Sequence, residues 1–141
     1  SLNVIIFIPD IIMETADTRK QLPANITRED AIFNIGRVAL LINSLATGSL
    51  ANLEIATKDR LHQPIRQENF PPMKTIINAA IRAGALGAFL SGSGSSVIAL
   101  ANKREVSIGY EMSDAAAKSG VTGTLQITRP TTKGAHVVNQ K

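Results

Sequence analysis

Ala85-Leu86-Gly87-Ala88-Phe89-Leu90-Ser91-Gly92-Ser93-Gly94-Ser95-Ser96-Val97-Ile98-Ala99-Leu100-Ala101 places two short apolar runs on either side of six residues with almost no side-chain bulk. Runs of this length, closed by turn residues, predict buried strands, so the segment reads as strand, loop, strand. Small residues let backbone N–H groups approach an anion closely, as in turns that cradle carboxylates or phosphates. A flexible hairpin connection is the alternative. The loop is neither a Gly-x-x-x-x-Gly-Lys-Ser/Thr phosphate loop nor a full Gly-x-Gly-x-x-Gly, whose sixth position is Val97 here.

Outward from this pair the period changes from two to that of helices. Residues 105–119 predict a helix with Ile108, Met112, Ala115 and Ala116 inward and Gly120 at its end, followed by a long strand at 121–128. In that strand Val121, Leu125 and Ile127 define a dry face and Thr122, Thr124, Gln126 and Thr128 a wet one, with Gly123 breaking the pattern. On the other side Pro71-Pro72 opens a helix with Ile76, Ile77, Ala80 and Ile81 inward and Gly84 as its stop. Further back, residues 50–58 predict a short helix, and 61–66, containing Pro64, an extended or irregular connection. The longest periodic segment starts at Thr27 as N-cap, with Glu29 and Asp30 complementing the macrodipole, and ends near Gly48. Its stripe Ile32, Ile35, Val38, Ala39, Ile42, Leu45 and Ala46 is the expected core face. Phe33, Leu40 and Leu41 form a second apolar face for a neighbouring helix or a partner subunit. Residues 14–22 read as a short helix ended by Pro23, and the β-branched run 2–8, closed by Pro9-Asp10, as a buried strand.

The order is then β-α-β-β-α-β with extra helices in the first crossover. It predicts an α+β, ferredoxin-like domain with a four-stranded, mostly antiparallel sheet and its helices on one face. A chain of 141 residues is the size of one domain, enough to bury about two-thirds of its unfolded surface. With 44% hydrophobic but only 4% aromatic residues, the core must be aliphatic. The absence of cysteine excludes disulfides, thiolate catalysis and Cys-type zinc sites. A net charge of +4 is spread along the chain with no basic run beyond pairs such as Arg19-Lys20 and Lys103-Arg104, which argues against nucleic acid as a partner. Residues 2–8 are too few to span a bilayer, so no membrane is expected and the chain reads as cytoplasmic.

Residues 83–96, Ala-Gly-Ala-Leu-Gly-Ala-Phe-Leu-Ser-Gly-Ser-Gly-Ser-Ser, resemble the C-terminal signature of the GHMP small-molecule kinases. Residues 9–23, Pro-Asp-Ile-Ile-Met-Glu-Thr-Ala-Asp-Thr-Arg-Lys-Gln-Leu-Pro, and 59–66, Asp-Arg-Leu-His-Gln-Pro-Ile-Arg, resemble the homoserine kinases within that family, in order and spacing. The likeness runs to Arg129-Pro130 and Gly134-Ala135-His136-Val137-Val138. One departure is Ser95, where the family usually has proline. The Pro-x-x-x-Gly-Leu-Gly-Ser-Ser-Ala phosphate loop of the family's N-terminal half does not occur in residues 1–141. The resemblance thus implies a GHMP kinase C-terminal domain over 1–141, inactive alone. In the intact enzyme the ATP γ-phosphoryl group moves to the side-chain hydroxyl of L-homoserine, in threonine biosynthesis. ATP and Mg²⁺ would be bound mainly by the N-terminal half, which is an expected partner together with L-homoserine.

By the same resemblance Arg19 and Arg66 bind the homoserine carboxylate, a role suited to paired guanidinium donors. Thr15, one helical turn before Arg19, lines the pocket or serves as an N-cap, and Gly94 with Ser93 offers backbone donors. No catalytic, cofactor-binding or metal-binding residue is expected in this chain. His62 and His136 are the only histidines, and no carboxylate partner for His62 can be read from the sequence. The alternative function is a non-catalytic amino-acid-binding or regulatory ferredoxin-like module, and a third is a bare interaction domain. A domain shaped to pack on another should self-associate when alone, so a homodimer using Phe33, Leu40 and Leu41 is expected.

Overall fold

A computed structural model describes residues 2–11, 13 and 19–137. Strands β1 (Asn3–Pro9), β2 (Gly87–Leu90), β3 (Val97–Ala101) and β4 (Gly123–Thr128) form one sheet in the order β2-β3-β1-β4. All the pairings are antiparallel, with Ile5 opposite Ala99 and Ile127, and Phe7 opposite Val97 and Leu125. Between β1 and β2 lie α1 (Arg28–Thr47), a 3-10 turn (Leu50–Asn52), α2 (Leu53–Ala56), α3 (Gln63–Asn69) and α4 (Pro72–Arg82), while α5 (Glu105–Lys118) connects β3 to β4. This is the expected β-α-β-β-α-β order with helices inserted in the first crossover.

The core forms where α4 and α5, packed on each other, cover one face of the sheet. Alternation places Ile5 and Phe7 of β1 in it beside Val97 and Ala99 of β3, against Ile76 and Ala80 of α4 and Ile108, Met112 and Ala116 of α5. Both helices end in the same way. Gly84 and Gly120 adopt φ of +106° and +75°, which an L side chain tolerates poorly. The N–H groups of Ala85 and Val121 then donate back to Ala80 and Ala116, satisfying carbonyls of the last turn. Val121 is buried as part of this stop, so the strand starts at Gly123, two residues later than its sequence pattern. As an edge strand β4 has only a partial dry face: Leu125 packs on the core, whereas Ile127 is exposed.

Two expectations are corrected. The stripe on α1 is not core: Ile32, Ile35, Val38 and Ile42 are 62, 69, 59 and 61% exposed. The helix packs on the 3-10 turn and α2 rather than on the sheet, and it turns Phe33, Asn34, Arg37, Leu40, Leu41 and Ser44 inward. Polar contacts select this face. The Asn34 side-chain amide donates to Asp59 Oδ1 at 2.5 Å and its carbonyl accepts from Arg60 N–H at 3.0 Å. The guanidinium carbons of Arg37 and Arg60 lie 4.3 and 4.1 Å from the Phe33 ring centroid. The second correction is residues 63–66, which are helical in α3 rather than irregular. Pro64 sits in its first turn, where no N–H is needed. Of the short helix expected at 14–22, Arg19 and Lys20 are helical, and residues 14–18, Thr15 among them, lie outside the described residues.

Candidate functional site

The antiparallel pairing of β1 with β3 brings the end of β1 to the start of β3, so the chain leaving β1 runs beside the 91–96 loop. Ser95, which is buried, fixes this by donating its Oγ hydrogen to Ile11 O at 2.8 Å. Within the loop Ser91 N–H donates to Ser96 O at 2.8 Å and Gly94 N–H to Ser91 O at 3.0 Å. The Gly94–Ser95 peptide is cis.

From the other side α3 is tied to the same end of the sheet. Leu90 N–H, the last of β2, donates to Gln63 Oε1 at 2.9 Å. The Asp59 carboxylate accepts from the N–H groups of Leu61, His62 and Gln63 at 3.1, 2.7 and 2.5 Å, which caps the start of α3. Burial pushes the Asp59 carboxyl up, but hydrogen bonds from Asn34 and from the backbone of Gln63, His62 and Leu61 prevail and hold it below the ordinary aspartate value. At the far end of α3 the Asn69 amide donates to Gln21 Oε1, joining the helix to the segment that carries Arg19. Arg66 lies one turn beyond Gln63.

These ties bring Arg19, Leu22, His62, Arg66, Gly92 and Ser93 around a single cavity of about 590 Å³. Arg66 is only 3% exposed, and its Nε and Nη1 have no hydrogen-bond partner. Among the described residues neither arginine forms an ion pair. A buried cation without a counter-charge is costly, and two guanidiniums on one cavity can together grip an anion with more than one oxygen.

Of the sequence candidates, Arg19, Arg66 and Ser93 meet at this cavity, Thr15 lies outside the described residues, and Gly94 does not line it. The Gly94 N–H is committed to the turn, and at φ +98° a Cβ there would lie 3.4 Å from Met13 Sδ and 3.5 Å from the Leu90 methyls. Gly94 therefore shapes the underside of the loop, and its donor is not free for a ligand. His62 does have a carboxylate neighbour, Asp59 Oδ1, at 3.4 Å from its Nδ1. Asp59 and Gln63 are builders of the site that the sequence reading passed over, although an acidic residue ahead of a proline-bearing first turn is a cap signal. A second cavity of about 330 Å³, lined in part by Asn34, Arg37, Val38, Lys58 and Asp59, shares His62 and Gly92 with the first. Among the described residues no helix is long and apolar enough to cross a membrane.

The family described as "GHMP kinases C terminal" matches residues 39–117. A homoserine kinase of Moorella thermoacetica is 41% identical over 137 residues, 97% of this chain and 46% of the relative. One of Caldicellulosiruptor bescii is 46% identical over 102 residues, 72% of this chain and 33% of the relative. The crystal structure of a homoserine kinase from Cytophaga hutchinsonii superposes with a TM-score of 0.86 at 27% identity, covering 91% of this chain and 41% of that one. The chain thus spans less than half the length of these relatives. With the family match covering more than half of its residues and its fold superposing on that of a homoserine kinase, the chain belongs to the GHMP kinase family.

Proposed function

We propose that residues 1–141 form the substrate-holding half of a homoserine kinase. The observation that carries this reading is the pair Arg19 and Arg66 on one cavity, the second buried with guanidinium nitrogens unpartnered. In this reading the two guanidiniums grip the carboxylate of L-homoserine, and Ser93 and the rest of the loop close over the amino acid, with Thr15 adjoining by resemblance. Holding the head group at two points leaves the side-chain hydroxyl projecting out of the cavity. Phosphoryl transfer depends chiefly on such positioning, since a fixed hydroxyl meets the γ-phosphorus in line without a loss of freedom at the moment of reaction. ATP supplies the phosphoryl group. Mg²⁺ is ordinarily held by one or two carboxylates together with the phosphates it accompanies, so in this reading it arrives with ATP. Nucleotide and metal belong to the portion that the longer relatives carry, and transfer requires both portions.

Calorimetric titration of the chain with L-homoserine and with L-homoserine amide tests the assignment. Charge-assisted hydrogen bonds contribute about 1.5–3 kcal/mol each, so the amide and the Arg19→Ala variant should each bind roughly 10- to 150-fold more weakly than acid and wild type. Equal affinity for acid and amide would refute a carboxylate clamp.

A further inference from the structure

The exposed face of α1 is unlike a solvated helix surface. Between Ala31 and Thr47 the only charged side chain is Arg37, and it is turned inward over Phe33. The outward side carries Ile32, Ile35, Val38, Ile42 and Leu45, all exposed, whereas a helix face kept in water is normally laced with charge. An apolar groove of about 590 Å³ runs along it, with Ile26, Ile35, Val38 and Leu61 in its lining.

Two further observations indicate what covers it. Asn34 and Val38 line both this groove and the 330 Å³ cavity, which in turn shares His62 and Gly92 with the arginine cavity. A body seated on α1 therefore reaches the side of the arginine cavity, where a phosphoryl donor has to approach a held hydroxyl. The relatives, moreover, carry more than half their length beyond the part matched here. A second copy of this chain would bring another arginine cavity and no nucleotide site.

We propose that the uncharged face of α1, centred on Ile35, Val38 and Ile42, is the seat of the companion portion carried by the longer relatives, which docks an apolar surface there. The self-contact expected through Phe33, Leu40 and Leu41 would use a different side of the helix, where those side chains are half-buried. The inference rests on the kinase reading in requiring a companion.

The chain is co-produced with the unmatched portion of the Moorella thermoacetica homoserine kinase and examined by size-exclusion chromatography with light scattering. A one-to-one complex is expected. Ile35→Asp with Ile42→Asp should weaken it at least ~30-fold, the loss of a central hot spot, while Val106→Asp on the equally exposed surface of α5 leaves it intact. Circular dichroism melts of the variants alone should match wild type, since both isoleucines are exposed. The proposal is overturned by absence of a complex, by a complex indifferent to the aspartates, or by a homodimer of this chain that the aspartates dissolve. Homoserine titration of the chain alone reads the arginine cavity independently, so failure of one reading is distinguishable from failure of the other.

Discussion

Replacing Arg66 with methionine should make the unliganded chain more stable while removing its response to L-homoserine, the ligand proposed for it. Arg66 is 3% exposed as a residue, its Nε and Nη1 are buried without partners, and it forms no ion pair among the described residues. The fold therefore carries most of the desolvation cost of a cation without the attraction that would offset it. Exchanging buried ionic groups for apolar ones of similar volume stabilises by about 1–4 kcal/mol in comparable cases. Methionine keeps the length of the stem, so little cavity is opened. At roughly 4 °C per kcal/mol for a chain of this size, the Tm should rise by about 4–15 °C.

Ligand inverts the order. L-Homoserine at 100 times its Kd should stabilise the wild type by about 2.7 kcal/mol and leave Arg66→Met where it was. Thermal melts of both proteins, with and without the amino acid, contain the whole comparison. An Arg66→Met chain that melts below wild type without ligand would mean the guanidinium is satisfied within the fold, and the inference of a waiting anion site would fail. Arg66→Lys separates charge from shape: a point charge should retain part of the ligand response but lose the bidentate geometry.

Asp59 should give the chain an acid-sensitive limb. Its carboxyl is lowered in the fold by the hydrogen bonds that cap α3, so its contribution is complete above the unfolded value of about 3.9 and is lost as the pH falls through the lower folded value. Urea midpoints between pH 2.5 and 7 should show that limb flattened in Asp59→Asn, which also costs about 1–2 kcal/mol at neutral pH, and a parallel offset at every pH would refute the assignment. The two closest glycine contacts should differ in cost. A Cβ on Gly123 meets backbone, Ile8 O and, at 2.9 Å, Pro9 Cα, so Gly123→Ala should cost about 3 kcal/mol or more. On Gly109 its nearest neighbours belong to the Leu125 side chain, which can rotate away at a cost nearer ~1 kcal/mol; denaturation that ranks them the other way would contradict the packing described for β4.

The architecture was legible because each of its elements is punctuated. The apolar runs either side of residues 91–96 and the run closed by Pro9 are too short for helices, and Gly84 and Gly120 mark helix ends by backbone conformation. Helix α3 was missed, although Asp59 ahead of a first turn containing Pro64 is a start signal. The proline was read as a breaker where it occupies the one part of a helix that tolerates it. The site was less legible. Nothing in Gln63-Pro64-Ile65-Arg66-Gln67-Glu68 says that its arginine is buried, because burial follows from Gln63 holding the end of β2 and Asn69 holding Gln21, both long-range contacts. Without the resemblance to a known family, Arg19 and Arg66 would have read as solvated charges.

Helix α1 shows where periodicity stops being informative. The stripe from Ile32 to Leu45 correctly identifies a helix and its most apolar face, yet this is the face left in water. Hydrophobic transfer favours covering each of those side chains by about 1.5–3 kcal/mol, and it is indifferent to whether the cover comes from the same sheet or from elsewhere. The decision is made by groups that cannot wait for a partner. Asn34 must pair with Asp59 and Arg60, and Arg37 and Arg60 converge on Phe33, so the helix is oriented by its polar and aromatic side. In a domain that folds by itself the two criteria agree, since the apolar side is the one that meets the core. Their disagreement on α1 marks the place where this chain's hydrophobic surface exceeds what its own elements can bury.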